Sequence, residues 1–180
     1  MTNSLQETVD SMCAPDRGIL AADESSGTIK KRFDLIDTES TEESRCAYRT
    51  MLFTTGGLGD HISGAICFEE TLGQSAPDGR PLPQVLTDQG IVTGIKVDKG
   101  LTDLALSPGD QVTQGLDGLA ERLEGYYAQG ARFTKWRSVY HIGESNPGGA
   151  AYRANAEALA RYAAISQAGG FVPIVEPEVL

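Results

Sequence analysis

The sequence predicts an α/β protein, specifically a (β/α)8 TIM-type barrel that is incomplete, holding about the first five of eight strand–helix units. Three observations predict it. Five apolar, strand-like runs alternate with helical segments at intervals of roughly 30 to 45 residues, the rhythm of βα repeats on a parallel sheet. Four of those runs carry charged residues toward their C-terminal ends, where (β/α)8 barrels assemble their sites. The Gly-rich turn G-x-G-x-x-G, which marks the competing doubly wound sheet, does not occur.

The elements follow in order. Leu5, Val9 and Met12 recur at helical spacing behind an Asn3…Gln6 cap pattern, and Pro15 and Gly18 close that helix. The first strand is "GILAADESSG". A capping-box pair, Ser40 and Glu43, opens the helix "STEESRCAYRTMLF". After the loop "TTGGLGD" comes the second strand, "HISGAICFEE", and "SAPDGRPLP" is turn chemistry. The third strand is "IVTGIKVDKG". In "GLDGLAERLEGYYAQG", Leu116, Leu119, Ala120 and Leu123 form one helical stripe, ended by Gly130. "ARFTKWRSVY" is the fourth strand. An Ala-rich helix stops at Gly169 and Gly170, and "FVPIVEPEVL" is the fifth strand.

Bulk properties narrow the function. The 180 residues, 40% hydrophobic and 22% charged, suit a single soluble domain spanning residues 1–180. A net charge of −10 argues against nucleic acid and anionic membrane surfaces as partners. No apolar run approaches a membrane span, and the N-terminal residues lack the pattern of a targeting peptide, so a cytoplasmic location is expected if Met1 is the true start. Cys13, Cys46 and Cys67 form no CxxC pair, and the two histidines, His61 and His141, sit in no ligand-spaced cluster. No metal and no cofactor is expected.

Strand side chains alternate faces, so residues two apart share one. Ile19, Ala21 and Asp23 therefore share a face, as do Lys96 and Asp98; Phe133, Lys135 and Arg137; and Val172, Ile174, Glu176 and Glu178. Each has a structural reading: Asp23 as a cap or Asx-turn, Lys96 and Asp98 as an ion pair, Lys135 and Arg137 as outward snorkelling cations, the glutamates as partners of a helix N-terminus. Together they point to chemistry, because buried charge is costly unless paired. A desolvated lysine can attack a carbonyl to form an imine, the protonated imine is an electron sink, and carboxylates supply the proton transfers. Spare cations and the serines of "DESSGT" suit a phosphorylated substrate.

"GILAADES", "GIKVDKG", "QGLDGLAERL", "ARFTKWR", "LARYAAISQ" and "VPIVEPE" together resemble the class I (Schiff-base) fructose-bisphosphate aldolase family, from about residue 15 onward and in the same order. The resemblance implies a (β/α)8 barrel, reversible cleavage of fructose 1,6-bisphosphate to two triose phosphates, no metal, and a homo-oligomer, commonly a tetramer. By the same resemblance, Asp23 handles the proton of the carbon-4 hydroxyl and Lys135 assists proton transfer. Glu176 is the acid/base of carbinolamine formation and dehydration, with Glu178 and Arg137 beside the substrate. Ser25, Thr28 and Lys96 surround one phosphate, and Arg45 is a substrate-contacting arginine. Thr28 stands where the family more often has serine, and keeps the hydroxyl. The family's imine-forming lysine lies on the strand after "VPIVEPE", outside these residues, so the chain alone is expected to be inactive. Two other readings remain beside this one: a non-catalytic aldolase-like module that binds phosphate compounds or proteins, and a lysine-dependent barrel lyase for other sugars.

Overall fold

The computed structural model describes residues 2–180, and for Thr2 and Asn3 only the backbone. In chain order the elements are α1 (Thr2–Met12), β1 (Gly18–Ala22), α2 (Ser26–Asp34), α3 (Glu42–Phe53), α4 (Leu58–His61), β2 (Ile62–Cys67), α5 (Glu69–Leu72) and α6 (Leu82–Thr87). They continue with β3 (Val92–Lys96), β4 (Leu101–Asp103), β5 (Gln111–Thr113), α7 (Leu119–Ala128), β6 (Phe133–Tyr140), α8 (Gly149–Ala168) and β7 (Val172–Val179). The five expected strands form one sheet in the order β1-β2-β3-β6-β7, parallel at every pairing. The sheet is curled, an incomplete (β/α)8 barrel.

Alternation along β6 sorts the two layers. Thr134 and Trp136 face outward: Trp136 stacks on Tyr162 of α8 at a centroid distance of 5.4 Å, and Thr134 Oγ1 lies 2.8 Å from the Tyr162 hydroxyl and 3.0 Å from Ser166 Oγ. Burial pushes the Tyr162 hydroxyl well above the usual phenol range. Phe133 faces inward and, with Ile66 of β2 and Met12 of α1, forms the floor of the half-barrel, flanked by Val92, Val172 and Ile174. Ser63 Oγ donates to the Met12 carbonyl at 2.6 Å, tying α1 beneath the strands. Gly94 makes room for the floor: a Cβ there would lie 2.2 Å from the Phe133 ring.

Several local expectations are corrected. Helix α1 starts at Thr2, so Asn3 lies inside it rather than at its cap. The capping box of α3 is Thr41/Ser44, not Ser40/Glu43: Thr41 Oγ1 accepts from Ser44 N at 3.1 Å and Ser44 Oγ accepts from Thr41 N at 2.9 Å. The run "STEES" offers both registers. The observed one lets Ser44 Oγ donate to the Glu39 carbonyl at 2.7 Å and puts Glu42 and Glu43 in the first turn, where the helix dipole favours them. In α7 Ala120 is exposed, and Tyr126 joins Leu119 and Leu123 on the buried face.

Several elements have no counterpart in the sequence reading, the short helices α4 and α5 among them. Helix α2 begins inside "DESSGT", because Ser25 is its N-cap, with Oγ accepting from Thr28 N at 3.3 Å. Helix α6 hides in the Pro-x-Pro turn: proline is tolerated in a first turn, where its missing N–H would have no intrahelical partner. The antiparallel ribbon β4–β5 is too short, at three residues a strand, to leave a clear period.

Candidate active site

At the C-terminal ends of the parallel strands, the inner face turns from apolar to charged. Ala21 of β1 and Asp23 just after it, Lys96 of β3 and Asp98 two residues beyond, Lys135 and Arg137 of β6, and Glu176 and Glu178 of β7 all line one cleft of about 760 Å³. The facing inferred from alternation therefore holds on every one of these strands. Register sets the neighbours, pairing Lys96 with Lys135 and Arg137 with Glu176.

Lys135 is at the centre. Its Nζ lies 3.2 Å from Asp23 Oδ2 and 3.2 Å from Glu176 Oε2. Both Lys135 and Asp23 are mostly shielded, with side-chain exposures of 13% and 11%. Burial pulls the Lys135 ammonium down, but the Asp23 and Glu176 carboxylates together outweigh it and hold it above the usual lysine value. The result is a shielded ammonium bridging two carboxylates.

The other charges are paired as well. Lys96 Nζ donates to Asp98 Oδ1 at 2.6 Å, and Asp98 also accepts from Gly100 N at 3.2 Å and Arg137 N at 3.4 Å. Arg137 Nε contacts Glu178 Oε2 directly. The structural reading of Lys96 and Asp98 as an ion pair is thus realised inside the cleft, whereas Lys135 and Arg137 face inward rather than snorkelling out. The two glutamates share a face, and each carboxylate meets its own cation in a cross-strand ion pair.

Ser25 and Thr28 line the same cleft at the start of α2, their hydroxyl oxygens 3.1 Å apart. Arg45 does not line it. Its Nε and Nη2 donate to the Glu70 carboxylate at 2.8 and 2.5 Å, and Nη1 donates to the Ser40 carbonyl at 3.0 Å. Sequence reasoning missed Glu24, Arg32, Glu69 and Lys99, which also line the cleft. Glu24 is out of phase with Asp23, and Arg32 lies on the unrecognised helix α2. Lys99 sits at the rim, 2.7 Å from Glu69, whose other oxygen accepts from the Tyr126 hydroxyl at 2.6 Å. Those two hydrogen bonds, the Lys99 one foremost, hold the Glu69 carboxyl below the usual range. Among the described residues no group of three or more His, Cys, Asp or Glu side chains is placed to hold a metal ion.

The arrangement offers a carboxylate–ammonium–carboxylate line for moving protons and a hydroxyl- and cation-lined end for an anion. The sequence model of fructose-bisphosphate aldolase class-I matches residues 4–180. The chain belongs to the class-I fructose-bisphosphate aldolase family. It is 57% identical over 176 residues to a probable fructose-bisphosphate aldolase class 1 of Xanthomonas campestris, covering 98% of this chain and 53% of that protein. It is 54% identical over 182 residues to fructose-bisphosphate aldolase 1 of Toxoplasma gondii, covering 100% of this chain and 50% of the relative. A solved structure of the Plasmodium falciparum aldolase superposes with a TM-score of 0.97 at 50% identity, covering 99% of this chain and 52% of that one. The chain thus spans about half the length of the aldolases it matches.

Proposed function

We propose that this chain supplies the proton-transfer and phosphate-binding half of a class-I aldolase. The enzyme would reversibly cleave fructose 1,6-bisphosphate to dihydroxyacetone phosphate and glyceraldehyde 3-phosphate through a lysine imine. The observation that carries the reading is Lys135 bridging Asp23 and Glu176. An ammonium held above the usual lysine value is a poor nucleophile and a persistent positive charge, which supports charge stabilisation rather than imine formation by Lys135. By family resemblance the imine lysine lies outside these 180 residues.

In this mechanism the external amine adds to the carbon-2 carbonyl, and Glu176 protonates the carbinolamine hydroxyl so that water leaves and the iminium forms. Asp23 accepts the carbon-4 hydroxyl proton. The bond between carbons 3 and 4 breaks, its electron pair passes into the iminium to give an enamine, and glyceraldehyde 3-phosphate departs. Protonation of the enamine at carbon 3 and hydrolysis release dihydroxyacetone phosphate. Lys135 stabilises the charges that alternate on its two carboxylates. Ser25, Thr28 and Lys96 hold one phosphate at the start of α2, with Arg137 and Glu178 alongside. Arg45 enters this scheme only if it leaves Glu70, so the resting structure gives its substrate-contacting role no support.

The printed names of the relatives and the family match support the substrate. Residues 1–180 form one unit in this proposal, in a cytoplasmic homo-oligomer, a tetramer by family resemblance. No helix among the described residues is long and apolar enough to cross a membrane. Relatives include a cytosolic aldolase of Arabidopsis thaliana, 51% identical, and a chloroplastic one of Pisum sativum, 55% identical. The test joins the chain to the portion of the Xanthomonas campestris relative that it does not match, hereafter the completed enzyme. Coupled detection of triose phosphate from fructose 1,6-bisphosphate is expected. A folded completed enzyme with no cleavage would overturn the proposal.

A further inference from the structure

Arg49 is nearly enclosed, at 3% exposure, on the inward face of α3, and it does not line the cleft. Its guanidinium lies over the Tyr48 ring, 5.2 Å from the centroid, and its polar contacts converge on one residue. Arg49 Nη2 donates to the Glu24 carbonyl at 3.0 Å, and Nη1 lies 2.9 Å from Glu24 Oε2. The Glu24 carboxylate, only 7% exposed, is further held by the Tyr48 hydroxyl, which donates to Oε1 at 3.2 Å, and by a contact from Arg32 Nη1. Glu24 stands between Asp23, which reaches Lys135, and Ser25, which caps α2.

A pair placed there for stability alone would be a poor choice. Arg49 Nε and Nη1 and Glu24 Oε2 are buried without a well-formed hydrogen bond, and incompletely satisfied buried ions are often outperformed by apolar packing. What the arginine fork supplies is geometry: one planar group fixes both the carbonyl and the carboxylate of the same residue, which a point charge cannot do. That fixes the peptide units on either side, and with them the direction of Asp23 and of the α2 N-terminus.

We propose that Arg49 is a positioning residue that, by clamping Glu24, aims Asp23 at Lys135 and sets Ser25 and Thr28 for the phosphate. The assignment rests on the aldolase reading above. Arg49 touches no reacting atom; it acts through the turn that carries the proton acceptor and one phosphate site.

The test compares Arg49→Lys and the double variant Arg49→Met/Glu24→Gln with the parent in the completed enzyme, with folding checked by circular dichroism. In Arg49→Lys the charge remains but the fork is lost, and kcat falls about tenfold or more while KM rises, as misplaced groups typically do. The Lys135 ammonium, followed by NMR in 15N-lysine-labelled protein, then titrates at lower pH, because Asp23 no longer faces it. Wild-type kcat, KM and Lys135 titration in a folded Arg49→Lys enzyme overturn the proposal. The double variant removes the buried charge on both sides and is expected to lose activity while keeping its fold; a fully active double variant overturns the proposal equally. Should the double variant not fold, Arg49→Lys decides alone. If the parent cleaves no fructose 1,6-bisphosphate, the aldolase reading fails, and the Lys135 titration in Arg49→Lys still decides whether Arg49 aims Asp23.

Discussion

Lys135 Nζ lies 3.2 Å from Asp23 Oδ2, although Asp23 directly follows β1 and Lys135 lies on β6, strands separated by β2 and β3. In a flat sheet three strand spacings would put those positions about 14 Å apart. The ion pair is therefore a chord across the curl of the sheet. Barrel curvature makes the site, and closing the chord onto Glu176 of β7 leaves Lys135 between two carboxylates.

Lys135→Ala in the completed enzyme is expected to lower kcat by about 10²–10⁴, the usual loss on removing a positioned proton-transfer or charge-stabilising group. Lys99→Ala is expected to lower it less than about tenfold, because Lys99 is 45% exposed at the rim and paired with Glu69. Steady-state kinetics of both variants check this; equal, mild effects contradict it.

The pH dependence of stability follows from the same ion pairs. The folded Lys135 titrates above the ordinary lysine value of about 10.4, so its contribution is fully present below that value and is lost as pH rises through the folded one. Urea unfolding of the wild type and Lys135→Met from pH 8 to 11.5 should show the stability difference narrowing at the alkaline end. A difference constant across that range contradicts the ion-pair account.

Much of the site is legible in the sequence because strand alternation is strict. Asp23, Lys96, Lys135, Arg137, Glu176 and Glu178 fall on the cleft face by period alone, and all line the cleft. Period says nothing about partners across the curl, so Lys135 bridging two strands and each glutamate meeting its own cation emerge only in three dimensions. The signals for α2 and α6 were masked by residues that also make turns. The Ser-Ser-Gly of "DESSGT" is a cap followed by a first turn, and Pro81 and Pro83 open a helix. Glu24 and Arg49 escape any period argument, because the link joins a strand end to a helix 25 residues on. An adjacent Asp-Glu pair at a strand end, with only one member in phase, is the signal that could have prompted a search for a partner.

Glu176→Gln is expected to slow imine formation and shift the acid limb of the pH–rate profile, with Glu178→Gln changing that limb less. Glu176 faces the Lys135 ammonium between β6 and β7, while Glu178 is engaged by Arg137. Single-turnover imine formation from pH 5 to 9 in both variants checks this. Wild-type rates for Glu176→Gln throughout would make that glutamate structural.

Gly94→Ala is expected to destabilise the half-barrel by about 1–3 kcal/mol, the usual cost of overpacking, because the new Cβ would meet the Phe133 ring at 2.2 Å. Urea denaturation should show the loss, and Phe133→Leu in the same chain should recover part of it. An unchanged midpoint for Gly94→Ala would mean that the floor is loosely packed.

Borohydride trapping with dihydroxyacetone phosphate, read by peptide mass mapping, tests the division of labour most directly. The 180-residue chain is expected to give no adduct, and the completed enzyme a stoichiometric one outside residues 1–180. A stoichiometric adduct on Lys96, Lys99 or Lys135 would contradict the account, because it would make one of these ion-paired ammonium groups the nucleophile.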